Sequence, residues 1–269
     1  LLGLRDRLGR AARGSARLRV AVLVLGDVGR SPRMQYHALS LACDACGGGE
    51  GSGSASAADG GKGVDVDLIG YAGEACIGPL REHPRVTIRT VPTIARPSGL
   101  ALPFVLWAPV KVVLQVLVLL HALLVAAPRP DVLLLQTPPA IPTLAAAWLV
   151  SLVRGCRVVI DWHNFGYTIM AINLGSPRHW LVRVAELYER IFARTGHGNL
   201  CVTRAMQKWL LEHWGVRAQV LHDQPPAFFR RSSAGEAHEL FARLGREAEP
   251  GRQDRSGLSD ALWPAAAAA

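Results

Sequence analysis

The sequence predicts an α/β fold, a Rossmann-like parallel sheet with helices on both faces. Three observations lead there. Short runs rich in Val, Leu and Ile, such as residues 19–25 (RVAVLVL) and 158–160 (VVI), carry no interior polar alternation, as expected of strands covered on both sides. Strand and helix patterns alternate at least five times, the order that builds crossover units and hence a parallel sheet. Polar and aromatic side chains then crowd the carboxyl end of one strand, in CRVVIDWHNFGYTIM from Cys156 to Met170. That edge is where open α/β sheets bind ligands.

Residues 19–25 open the series as a strand, and Gly26-Asp27-Val28-Gly29-Arg30-Ser31-Pro32 is the turn after it. A helix follows with Ser31 as N-cap and Pro32 at its first position, and Met34, Ala38, Leu41 and Ala42 keep one face apolar. Glycines admit close approach of a ligand, amides at a helix start point toward it, and Arg30 adds a forked cation. The turn therefore suits an anion, above all a phosphate, although many βα turns with two glycines bind nothing. It lacks both the G-x-G-x-x-G spacing of dinucleotide folds and the Lys-Ser/Thr of a P-loop.

Residues 47–63 are almost entirely Gly, Ser, Ala and Asp and read as a flexible surface insertion. Strands resume at 64–71 (VDVDLIGY) and 86–91 (VTIRTV), with loops between them. Residues 100–127 are the most apolar region, interrupted only by Lys111, Gln115 and His121 as strongly polar side chains. Three readings compete for it: a helix in the membrane interface with Lys111 and Trp107 at headgroup depth, a core helix, or a transmembrane span. A span is the least favoured, since it interrupts a βαβ series.

Residues 131–137 (DVLLLQT) form a further strand, stopped by Pro138-Pro139, and 141–153 a helix with Pro142 in its first turn. After the 158–160 strand, a helix runs from Ser176-Pro177 to about Arg194 with the stripe Leu181, Val184, Ala185, Tyr188, Ile191 and Phe192. Residues 199–202 are a short strand, Thr203 caps a helix ending at Gly215 with Met206, Leu210 and Trp214 inward, and 218–221 are the last strand. Beyond Pro226 the alternation stops, with one helix expected over 236–244.

The chain has 269 residues and a formal charge of +9, which favours an anionic partner: nucleic acid, an acidic membrane surface or a phosphorylated substrate. Six arginines against a single Asp6 make residues 1–18 with Arg19 a basic arm. The basic residues do not interleave with aromatics on any recognisable motif, which disfavours nucleic acid. Five cysteines are an odd number for a disulfide framework and point to a reducing compartment. Cys43 and Cys46 form a C-x-x-C pair without a second pair at zinc spacing, so no metal is expected.

Several of these stretches, in the same order, resemble the amino-terminal half of the chitobiosyldiphosphodolichol beta-mannosyltransferase family: VLVLGDVGRSPRMQYHALSLA, DVLLLQTPPAIPT, VVIDWHNFGYTIM, NLCVTRAMQ and VLHDQPPAFF. The resemblance runs from about residue 19 to residue 244, excluding the glycine-rich insertion. It implies the N-terminal domain of a GT-B glycosyltransferase, the acceptor and membrane lobe facing a second lobe that holds GDP-mannose. Residues 19–226 are that lobe, and residues 227–269 a linker and the stub of the donor lobe. The implied reaction adds the first mannose to dolichol-linked chitobiose diphosphate on the cytosolic face of the endoplasmic reticulum membrane, with other mannosyltransferases of the pathway as partners. On this expectation the chain alone holds half a cleft and does not transfer mannose. The alternative is a non-catalytic, membrane-docking half of a split or truncated transferase.

An inverting transferase needs a base for the attacking hydroxyl and stabilisation of the leaving diphosphate. The candidate bases are Asp27, in the first turn, and His163, with Asp161 orienting the imidazole. Asp27 is preferred, because related folds often place the base in that loop. Gly26, Gly29 and Arg30 are expected to hold a diphosphate, and Asp161 and Asn164 to contact substrate; Tyr167 and Trp162 could stack on chitobiose. The plainer reading is that Asp161 and Asn164 cap the next turn, His163 is a satisfied core residue and the aromatics only pack.

Overall fold

The apolar runs pair side by side. The computed structural model describes residues 17–43, 64–95, 104–225 and 230–247. Seven parallel strands form one sheet in the order β3-β2-β1-β4-β5-β6-β7: β1 (Leu18–Asp27), β2 (Val64–Tyr71), β3 (Val86–Val91), β4 (Val132–Thr137), β5 (Arg157–Trp162), β6 (Gly198–Cys201) and β7 (Gln219–Val220). The order runs outward from β1 in both directions, so β1 and β4 flank a topological switch point with a crevice at their carboxyl ends.

Alternation along β1 divides the core in two. Val20, Val22 and Val24 face a cluster with Met34, Ala38 and Ala42 of α1 (Pro32–Cys43) and Leu80 of α2 (Gly78–Arg81). Ala21, Leu23 and Leu25 face the opposite cluster, to which four helices contribute. These are α3 (Phe104–His121, extended by the π-turn Ala122–Ala126) through Leu119 and Leu123, and α4 (Thr143–Arg154) through Leu144, Ala147 and Val150. With them are α6 (Trp180–Ala193) through Ala193 and α7 (Arg204–Trp214) through Leu210 and Trp214. This is the predicted fold class, with helices on both faces of a parallel sheet.

The structure departs from the expectations in four places. A helix, α5 (Gly166–Asn173), occupies part of the segment read as a polar strand end, and the short α2 stands where only loop was expected. The α6 stripe is rotated: Val182, Ala185, Glu189 and Ala193 are buried, whereas Val184 and Ile191 are each 53% exposed. Trp107 is buried rather than at a surface, while Lys111 is exposed.

The chain divides into two units, Leu1–Asp223 and Gln224–Ala269. In the second, α8 (Ala234–Glu247) extends the helix expected over 236–244. It opens with a capping box: Ser233 N donates to Glu236 Oε2 (2.8 Å) and Glu236 N to Ser233 Oγ (3.3 Å). The basic arm, apart from its last residues, the 47–63 insertion and the Cys46 half of the C-x-x-C pair lie outside the described residues.

Candidate active site

The β1–α1 turn is closed by its own chain. Asp27 ends β1 and accepts from Gly29 N at Oδ1 (2.9 Å) and Glu74 N at Oδ2 (3.0 Å), with Arg30 Nε 3.5 Å from Oδ2. The Glu74 amide is the leading cause that holds this carboxyl below its ordinary range; burial acts the other way, and the Gly29 and Arg30 amides and the Arg30 charge add to the lowering. A carboxylate so stabilised is a weak base. Arg30 N donates to Asp27 O and Ser31 N to Val28 O, so the amides expected to cradle a phosphate have partners within the turn. Ser31 stands at the helix start, its carbonyl accepting from Met34 N and Gln35 N (both 3.1 Å) while its hydroxyl donates back to Asp27 O (3.0 Å).

The Gly73–Glu74 strand of loop explains the glycines. A Cβ on Gly29 would lie 2.1 Å from Glu74 O, and one on Gly73 would lie 2.2 Å from the Asp27 carboxylate. Gly29 is thus required by the neighbouring loop. Gly26 has no such crowding, its nearest contact being Val24 at 3.8 Å. Arg30 extends outward, 72% exposed, and donates to Glu74 Oε1 (3.1 Å).

A second constellation lies at the ends of β5 and β7. The register sets Thr137, Trp162, Cys201 and Val220 level across β4 to β7. Alternation then sends Trp162 and Asp161 to opposite faces. Trp162 is fully buried, donates from Nε1 to Asn199 Oδ1 (2.9 Å) and packs edge-on to Trp214. It is a core residue and cannot stack on a sugar. Asp161 turns toward α1, where Arg33 and His37 stand at i and i+4 on one face.

Asp161 is fully buried and grips Arg33 with both oxygens, Nε to Oδ2 at 2.6 Å and Nη2 to Oδ1 at 2.9 Å, while His37 Nε2 lies 3.0 Å from Oδ2. Since a carboxylate only accepts, His37 donates from Nε2. Burial pushes the Asp161 carboxyl up, but the His37 hydrogen bond and the Arg33 guanidinium outweigh it and hold it below its ordinary range. Asp161 therefore neither lines the open edge nor orients His163; both expectations are corrected by its burial under α1.

Arg33 continues outward. Its Nη1 donates to Asp223 Oδ1 (2.6 Å) and its Nη2 to Leu221 O (3.0 Å). Asp223 is 56% exposed, and its Oδ2 lies 3.4 Å from Nε2 of His163. His163 N and Asn164 N both donate to Thr137 O, at 3.0 and 3.3 Å, which ties their turn to the end of β4 beside the switch point. His163 is partly exposed and Asn164 exposed. The sequence reading missed Arg33, His37 and Asp223. The i, i+4 pair of Arg33 and His37 flanking the apolar Met34 and Ala38 was the available signal; Asp223 lies within the quoted stretch VLHDQPPAFF, but nothing in that stretch pairs it with Arg33 or His163.

Tyr167 joins the aromatic cluster of Phe165, Trp209 and Trp214, and burial with the nearby Glu186 and Glu189 charges pushes its hydroxyl up to about 12. It is a packing residue in this geometry. Among the described residues no group of three or more His, Cys, Asp or Glu is arranged to hold a metal.

The model of the glycosyl transferase 4-like domain family matches residues 3–222. The UDP-glycosyltransferase TURAN of Arabidopsis thaliana is 42% identical over 238 residues, covering 85% of this chain and 46% of that protein. The chitobiosyldiphosphodolichol beta-mannosyltransferase of Mus musculus is 42% identical over 250 residues, covering 93% of this chain and 47% of that protein. Its Homo sapiens counterpart is 40% identical over 249 residues, with coverages of 92% and 48%. The chain spans about half the length of the curated relatives it matches.

Proposed function

Because the chain belongs to the glycosyl transferase 4-like domain family, we propose that it is the acceptor-side lobe of a GT-B mannosyltransferase. The reaction moves mannose from GDP-mannose to dolichol-linked chitobiose diphosphate, on the cytosolic face of the endoplasmic reticulum membrane. The names of the mouse and human relatives support the acceptor.

One observation of geometry carries the reading: a polar rim and an apolar slope meet. In a βαβ crossover the helix starts at the carboxyl edge of the sheet and runs back. Gln115 of α3 donates to the Tyr71 hydroxyl at the end of β2, so α3 passes the edge that carries His163 and Arg30 near Gln115 rather than at its start. Leu106, Val110, Val113, Leu114 and Leu117 are exposed along α3. A diphosphate lipid has this same polarity, a charged sugar head and an apolar tail.

In this reading His163 takes the proton of the acceptor hydroxyl as that oxygen bonds to the anomeric carbon and the bond to the nucleotide diphosphate breaks. Asn164, exposed beside it, hydrogen-bonds the sugar. Arg30 extends toward the diphosphate. Asp27 is the anchor that shapes the turn, a use that fits its saturated oxygens better than proton transfer does.

The test is mannose incorporation into a chitobiosyl-diphospholipid by the chain alone and together with the portion of the mouse relative it does not cover. GDP-mannose and UDP-sugars are offered in parallel, since one relative is named for UDP. Transfer from GDP-mannose that needs the added portion and falls at least about a hundredfold in His163→Gln is expected. Transfer from UDP-sugars only, or an unchanged rate in His163→Gln, overturns the proposal.

A further inference from the structure

The chain of ionic contacts from α1 to the sheet edge ends on His163, the base of the proposed transfer. Resting on that reading, we infer that Asp223 and Arg33 are positioning residues: Arg33, clamped by buried Asp161, holds Asp223 against Nε2 of His163 and so leaves Nδ1 to accept the substrate proton.

Each link has a physical reason. Asp161 sits under α1 with no exposure, and Arg33 is 9% exposed, so this pair is sheltered from solvent screening and its two-pronged geometry fixes the guanidinium plane. With Nε and one edge of Nη2 committed to Asp161, the remaining hydrogens of Arg33 project outward, to Leu221 O and to Asp223 Oδ1. The exposed carboxylate is thereby held at one oxygen, and its other oxygen faces His163 at 3.4 Å. A carboxylate only accepts hydrogen bonds, so it favours the imidazole tautomer with hydrogen on Nε2. The Nδ1 lone pair is then the one that receives a proton. The proton passes from the acceptor hydroxyl to Nδ1, and the resulting imidazolium is stabilised by Asp223.

Among the described residues, the charged groups that face His163 are Asp223 from the loop after β7 and, behind it, Arg33 from α1. His37 and Asp161 lie deeper in the same series, and His222 is turned to Val202 O (2.9 Å). Loss of Asp223 thus leaves His163 facing the Arg33 cation without the intervening carboxylate.

The experiment uses Asp223→Asn, because Asp223 is exposed, whereas any loss of Arg33 leaves the buried Asp161 carboxylate with His37 as its remaining partner and confounds folding with function. Ring-nitrogen resonances of the chain itself are recorded by NMR at alkaline pH, with His163→Gln identifying the signal. Asp223→Asn is expected to lower the share of His163 that carries its hydrogen on Nε2. In the transfer assay it is expected to lower kcat roughly tenfold to a hundredfold, to leave the acceptor KM near its starting value, and to add nothing in a His163→Gln background. An unchanged tautomer share overturns the inference even if no transfer is measured. If His163→Gln transfers normally, the proposed function fails; if it is inactive while Asp223→Asn keeps its rate, this inference alone fails.

Discussion

Single side chains in this molecule are placed by burial more than by their type. Glu189 shows it. It lies on α6 with 1% exposure, and its carboxylate accepts from the Gly166 amide (3.2 Å) and the Tyr167 amide (2.8 Å) at the start of α5. Burial pushes its carboxyl up to about 7 despite those two amides, with Glu186 adding to the rise. A carboxyl raised from 4.5 on folding contributes stability when protonated, and that contribution is lost as pH rises from about 4.5 through about 7. The size is on the order of 3 kcal/mol. Thermal unfolding of Glu189→Gln against the parent from pH 4 to pH 8 should show the variant gaining several degrees relative to the parent as pH rises; a difference independent of pH would contradict the assignment. Asp161 and Asp27, both lowered, act in the opposite sense, their contribution being lost in acid, and cancel in that comparison. The residue scale is also where the sequence was least legible. Asp161, Trp162, His163 and Asn164 read as one polar cluster, but strand alternation sends the first two to opposite cores and leaves only the last two at the edge. A cluster in sequence at a strand end is split by the pleat.

At the scale of elements, strands were the readable part. The bounds of β2 and β3 match the expected spans, and α7 has both of its expected ends, Thr203 accepting from Met206 N (3.1 Å) and Gly215 at φ 66°. Those signals are local, carried by caps and β-branched runs. Helix faces were less readable, as in α6, whose one-sided apolar stripe leaves Trp180, Val184, Leu187 and Ile191 exposed while Val182, Ala185 and Ala193 are buried together with Glu189. The outward faces that result lie on one layer. Val113 and Leu117 of α3, Trp148 and Leu152 of α4, and Val184 and Leu187 of α6 are exposed, and Trp148 meets Phe192 of α6 edge-on at 6.1 Å. The helix Leu106–Ala126 is, by length and composition, also long and apolar enough to cross a membrane. Its Leu119 and Leu123 are nonetheless completely buried against the sheet, which favours a helix that lies on the bilayer over one that leaves the fold. Val113→Glu with Leu117→Glu should cut binding to lipid vesicles by at least about tenfold while leaving the unfolding temperature close to that of the parent, because neither side chain supports the core. Unchanged cosedimentation with vesicles would exclude this face as the docking surface.

For the whole molecule, the parallel sheet was recoverable because alternating strands and helices admit few connections, whereas the contacts of His37 and Arg33 with Asp161 and Asp223 join residues more than a hundred positions apart, and the sequence offers only the Arg33 and His37 spacing as a hint of them. Charge and apolar surface can then be weighed together. The net charge of +9 acts over a distance set by salt, about 10 Å at 0.1 M, while apolar burial is insensitive to it. Lys111 on α3 and Arg183 and Arg190 on α6 are exposed on the same helices as the apolar side chains. Each basic side chain near an anionic surface contributes about 1 kcal/mol at most, so three of them amount to roughly two orders of magnitude in affinity at low salt. Docking through both terms predicts two separable components. Binding to vesicles rich in phosphatidylserine or phosphatidylinositol should exceed binding to phosphatidylcholine vesicles at low salt, and the excess should vanish near 0.5 M salt, a concentration at which screening length falls to about 4 Å. What remains should be the same for both lipids and should be removed by the α3 double substitution. If salt abolishes all binding, the apolar layer contributes nothing and the attraction is electrostatic alone; if anionic lipid gives no excess at low salt, the basic residues do not face the bilayer and the layer must dock in another orientation.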